Sequence, residues 1–177
     1  MKKSHRVRMA LIALGVSALA ACTTVPPVAA PVFDARAAVT AIRAAGDVAS
    51  SELDVKPIRD PQVEDLREDA ERLEKAGQYD QAAASLDHAL QINPDDPALL
   101  QERAEAALLT TDLDTAERLA KQAIDRGSKV GPLCRRHWET IAQVRQARPT
   151  PIDVPGAGVA DARRERDACT VAAPVRY

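Results

Sequence analysis

Across residues 62–146, apolar side chains return every three or four positions, the spacing of one helix face. Polar or proline-bearing breaks interrupt this pattern at Gly77, at Asn93-Pro94, at Thr110-Thr111-Asp112 and across 127–132. They cut the region into segments of about 14–16 residues, an ordinary helix length. The pattern predicts helix–turn–helix, twice, and then a fifth helix. Upstream, "DARAAVTAIRAAG" predicts a short helix: Asp34 can cap it, Val39 and Ile42 can share a face, and Gly46 can end it. Residues 47–61 show no clear period and read as an irregular connector. Downstream, "RPTPIDVPGAG" is a proline-rich linker, and "VADARRERDACT" predicts a short final helix.

The long region repeats. Shifted by 34 residues, Leu66 falls on Leu100, Ala70 on Ala104, Ala82 on Ala116, Ala89 on Ala123 and Leu90 on Ile124. Tyr79 falls on Leu113, and Asp80 on Asp114. Small residues stay small and large apolar ones stay large. Each helical hairpin then has two apolar edges, and stacking the hairpins buries both. Ala82, Ala83, Ala84 and Ala89 line the second helix of the first hairpin, where small side chains let a neighbouring helix come close.

This period and these positions resemble the tetratricopeptide repeat. The first unit, about 63–96, carries "AGQYDQA" and "INPDDP". Gly77 and Tyr79 match the family's glycine-aromatic turn, Ala70, Ala82 and Ala89 its small residues, and Pro94 its terminal proline. The second unit, about 97–130, keeps Ala104, Ala116 and Ala123 but has Thr111 for the turn glycine and Ser128 for the proline. "LCRRHWETIAQV" then puts Cys134, Trp138 and Ile141 on one face, and it resembles the solvating helix that ends such arrays. The resemblance implies an all-α fold: a short α-solenoid of two hairpins plus a terminal solvating helix over 62–147. Two hairpins and one helix are near the lower limit for an independent array. Either the helix at 34–45 and the tail at 148–177 cap its ends, or the protein forms a homodimer.

The first 21 residues lie outside this fold. "MKKSHRVR" is basic, "MALIALGVSALA" is apolar but short for a bilayer span, and "LAAC" ends at Cys22. This order resembles a bacterial lipoprotein signal, which implies cleavage before Cys22 and acylation of its thiol. Residues 22–33, with three prolines and no charge before Asp34, then form a flexible tether. Thr23 stands where an aspartate would resemble an inner-membrane retention signal, so the resemblance implies an outer-membrane anchor facing the periplasm. Removing 1–21 takes four basic residues and no acid. That leaves 20 Lys and Arg against 26 Asp and Glu, a net of −6. Such a chain has no basic footprint for nucleic acid. Its attachment to membrane comes from acyl chains rather than a basic patch.

Two cysteines remain, Cys134 and Cys169. An even pair in an oxidising compartment predicts one disulfide, stapling the tail onto the terminal helix. Closing a loop of roughly 36 residues is worth roughly 3–4 kcal/mol. Catalytic chemistry has little to work with. Beyond the signal segment the histidines are His88 and His137, and His137 stands three residues after Cys134 with no second metal-binding pair nearby. No phosphate-binding glycine loop and no G-x-S-x-G or HExxH motif appears, so no enzyme activity and no cofactor are expected.

In tetratricopeptide-repeat proteins the first helices line a concave groove for peptides or partner helices. By register, the resemblance implies groove positions at Arg67, Glu71, Glu74, Gln101, Glu105, Leu108, Arg135 and Glu139. The expected function is a lipid-anchored scaffold for protein–protein interaction in the bacterial cell envelope, with an envelope protein as partner. The alternative is a self-associating structural lipoprotein with no peptide ligand.

Overall fold

The computed structural model describes residues 32–47, 58–148 and 155–170. Cys22, the signal segment, most of the tether and residues 48–57 of the connector lie outside the described residues. Everything below concerns the unit that begins at Phe33.

Seven α-helices and no strand occur among the described residues: α1 (Ala35–Ala45), α2 (Pro61–Lys75), α3 (Tyr79–Ile92), α4 (Pro97–Leu109), α5 (Leu113–Arg126), α6 (Pro132–Ala147) and α7 (Val159–Ala168). The boundaries follow local chemistry. Asp34, Asp60, Asp96 and Asp112 cap α1, α2, α4 and α5 by accepting from first-turn N–H groups that lack a helical partner. Pro61, Pro97 and Pro132 sit at the first helical position, where a missing N–H costs nothing.

The two hairpin turns repeat bond for bond. Gln78 N–H donates to Leu73 O at 2.9 Å and Gly77 N–H to Glu74 O at 2.9 Å. Thirty-four residues on, Asp112 N–H donates to Ala107 O at 2.8 Å and Thr111 N–H to Leu108 O at 2.9 Å. This helix-ending motif requires a left-handed residue. Gly77 takes φ 75° without strain, whereas Thr111 takes φ 61° with a β-branched side chain.

The hairpins stack in order: α2 on α3, α3 on α4, α4 on α5, α5 on α6. Ala70, Ala82, Ala89, Ala104, Ala116 and Ala123 are all 3% exposed or less, as the repeat predicts. Ala84 departs from expectation: it is exposed, on the side of α3 away from Ala82, Ala83 and Ala89. Leu100, Leu119 and Ile141 form the central core cluster, with Trp138 packed against it.

Both ends of the chain fold back. The terminal helix α6 is covered by α7, which buries Ala162 in the central cluster and is joined to α6 by the Cys134–Cys169 disulfide. Gly131 N–H also donates to Cys169 O at 2.7 Å, so backbone and disulfide close the same junction. The other end is covered differently. Helix α1 packs on α4 and α6, across the array rather than at its edge.

Candidate protein-interaction site

The first helices of the hairpins, α2, α4 and α6, present a common inner face with two notches. One lies between α4 and α6, the other between α2 and α4.

The α4–α6 notch is filled by α1. Val39 and Ile42 of α1 meet Ala107 and Leu108 of α4, Ala116 of α5 and Val144 of α6, with Phe33 packed against the same cluster. Ile42 and Leu108 are fully buried. Burying two such aliphatic side chains contributes about 3–5 kcal/mol before ordering costs. An isolated helix of this length is not stable in water, so this contact is what makes α1 a helix.

Charge fixes α1 in place. Arg43 donates to Glu105 at 2.8 Å and to both oxygens of Glu74 at 2.9 Å, tying α1 to α4 and α2 together. Arg135 of α6 donates to the carbonyls of Ala45 and Asp47 at 2.9 Å, satisfying acceptors at the α1 C-terminus, where the helix dipole is negative. Arg36 donates to the Tyr79 hydroxyl at 2.7 Å, its guanidinium 5.7 Å from the ring centroid. The C-terminus comes so close to α6 that a Cβ on Gly46 would sit 2.4 Å from Arg136 Cγ.

Glu105 is the hub of this notch. Its side chain is 1% exposed and accepts from Arg43, from Arg136 at 2.5 Å and from Gln101 Nε2 at 2.9 Å. A carboxylate this buried is tolerable because every approach to it carries a donor. Behind it lies His137, fully buried. Gln101 spends its amide N–H groups on Glu105 and on Thr140 at 2.8 Å. Its carbonyl oxygen therefore faces His137 Nδ1 at 2.7 Å, which assigns the proton to Nδ1. Burial, reinforced by Arg136 and Lys129, pushes the His137 pKa down to about 3, so the ring stays neutral near pH 7. With Cys134 in the disulfide, the Cys134–His137 pair is not available as metal ligands.

The eight expected groove residues therefore divide. Gln101, Glu105, Leu108, Arg135 and Glu139 are buried. Gln101 and Glu105 bind α4 to α6, Leu108 lies under α1, and Arg135 holds the α1 C-terminus. Glu139 accepts from Arg166 of α7 at 2.6 Å and from Gln143. Arg67, Glu71 and Glu74 remain accessible, on α2.

The α2–α4 notch is an open cleft of about 500 Å³. Ala70, Ala82, Leu86 and Ala106 form its floor, and α1 forms one wall through Arg43 and Gly46. Arg67 braces it, paired with Glu64 of its own helix at 2.8 Å and with Glu102 of α4. The hydrogen bond to Glu102 is the largest influence on Arg67 and raises the pKa of its guanidinium. Sequence reasoning missed Arg43, Glu68, Glu102 and Arg136, all of which line this cleft. Leu108 was a usable signal: an apolar residue at an inner-face position, where the first unit has Glu74, implies a cover.

Residues 73–133 match the tetratricopeptide repeat family, so the array is a tetratricopeptide-repeat array. Among solved structures, the chain is similar to the globular C-terminal domain of LpoP from P. aeruginosa, with 29% identity and a TM-score of 0.55. That likeness covers 62% of this chain and 99% of the other. No curated protein matches the chain.

Proposed function

Taking the chain as a tetratricopeptide-repeat protein, we propose that it is a non-catalytic scaffold of the bacterial cell envelope, held to the membrane by acyl chains on Cys22 and binding another envelope protein on its inner face. The observation that carries the binding role is the open α2–α4 notch, an accessible cleft with an apolar floor and charged rim beside a notch already holding a helix. The likeness to the LpoP domain supports an interaction scaffold. The basic, apolar and Leu-Ala-Ala-Cys segments at 1–22 support the anchor, the Cys134–Cys169 disulfide suits an oxidising compartment, and Thr23 favours the outer membrane.

The test is photo-crosslinking in cells from Glu71, which is exposed on α2 at the cleft. Gln101 is unsuitable, because it is buried and bonded to His137 and Thr140. A crosslink to an envelope protein, lost when Cys22→Ala releases the chain from the membrane fraction, is the expected result. Crosslinks only to a second copy would replace the scaffold with self-association. Unchanged membrane fractionation of Cys22→Ala would remove the lipid anchor from the account.

A further inference from the structure

We infer that the open α2–α4 notch takes a basic amphipathic helix from the partner protein, laid beside α1 with Lys or Arg side chains against Glu68, Glu71 and Glu102. This deepens the scaffold reading and rests on it.

The repeat register sets the two notches side by side. Position by position, α2 and α4 are related by 34 residues: Glu71 stands where α4 has Glu105, and Glu74 where α4 has Leu108. In the filled notch, Glu105 receives Arg43 of α1, and Leu108 receives its aliphatic face. The open notch thus keeps the arginine-receiving carboxylate and exchanges the apolar contact for a second acid. The opposite walls differ in the same direction. The filled notch has Arg135 and Arg136 on α6, whereas the open one has Glu102 and Ala106 on α4.

Charge complementarity follows. Six carboxylates and three guanidiniums line the cleft. The three guanidiniums are engaged, Arg43 by Glu74 and Glu105, Arg67 by Glu64 and Glu102, and Arg136 by Glu105. Glu68 is exposed and has no ion-pair partner among the described residues, and Glu71 meets only Lys75 of its own helix. The cleft is therefore short of cations that a ligand can supply.

The ligand is a helix for a separate reason. Both walls are helices whose backbone groups are already bonded, so no strand edge is offered to an extended peptide. A helix brings its own backbone bonds and needs only side chains to dock, as α1 does next door. The Ala70, Ala82 and Ala106 floor is shallow, so it receives small or medium apolar residues between the basic ones. The chain's own connector at 48–57 is a poor occupant, since its Glu52 and Asp54 outnumber its Lys56. Contact through charge at an open rim is screened by salt, so binding weakens as ionic strength rises.

The test uses the full chain in its own envelope, with photo-crosslinkers placed separately at Glu71 in the cleft and at Gln122 on α5, outside it. The captured peptide is sequenced. The expected peptide is a helical segment of another protein with two or more Lys or Arg on one face. Glu68→Lys should then lower its yield at least tenfold and Glu68→Gln less, with the thermal midpoint unchanged because Glu68 is exposed. Capture of an acidic or neutral segment, of a second copy, or of residues 48–57 overturns the inference. Capture only from Gln122 overturns it while leaving a binding role intact. Capture from neither position overturns both.

Discussion

The α4–α6 and α2–α4 notches come from one repeated hairpin, yet one is sealed by a helix of the same chain and the other stands open. The difference lies in few residues. Leu108 and Val144 give the sealed notch an apolar strip where Val39 and Ile42 can leave water. Glu105 then supplies one buried carboxylate between Arg43 and Arg136. The open notch has Glu74 in place of Leu108, so a helix like α1 would bury less apolar surface there. A repeat array thus sets the fate of each notch by single substitutions on a constant frame. It uses its own N-terminal helix as a permanent occupant of one notch, and that occupant becomes a wall of the next.

The largest expected effect falls on the sealed side. Cys134→Ser with Cys169→Ser removes the closure of α7 onto α6 and costs roughly 3–4 kcal/mol. Thermal unfolding with and without reductant measures it, and hydrogen exchange should place the loss in α6, α7 and α1 rather than in α2–α3. Glu105→Ala comes next, at about 3 kcal/mol. It stays below the cost of a fully sealed pair because Arg43 is half exposed and keeps Glu74. Denaturant unfolding reads the cost, and an equal loss of protection in α2–α3 would contradict the separation of the two notches.

Acid sharpens the comparison further. The folded-state pKa of His137 lies at about 3, below the ordinary value of 6.5. The folded state therefore binds fewer protons between those values, and stability present above pH 6.5 is lost as pH falls toward 3. From pH 7.5 to 5 the loss is about 2 kcal/mol. His137→Gln, which keeps a donor for Gln101, should flatten that slope. A slope unchanged by the substitution would place the acid sensitivity elsewhere. The smallest effect is a gain. Thr111→Gly relieves a left-handed β-branched residue and should add up to about 1 kcal/mol, whereas Gly77→Thr at the matching turn should lose about as much. Paired thermal melts check both signs.

Much of the frame was legible in the chain. The helix boundaries were written in Asp34, Asp60, Asp96 and Asp112 and in the prolines and glycines around them, because caps are local. The 34-residue spacing identified the buried alanines, because one hairpin cannot bury its edges alone. Ala84 was misread as lining, since a run of alanines does not say which member faces in. For α1, Val39 and Ile42 showed that one face is buried, but nothing in their spacing named α4 and α6 as the surface beneath. That choice depends on contacts across long separations, such as Arg43 with Glu105, which no local pattern encodes. For the same reason five of the expected groove positions turned out to be interior, and Glu68, Glu102 and Arg136 were missed.

The central claim is that α1 occupies one notch and leaves the next one open. Native-state hydrogen exchange of the full chain tests it most directly, read at the backbone amides of α1. Because α1 is too short to persist alone, the account predicts strong protection at Val39 and Ile42, abolished by Ile42→Asp, with the α2–α3 amides unchanged. Amides of α1 that exchange in the wild-type chain as fast as an unfolded peptide would show that the helix is not docked, and both notches would then be open.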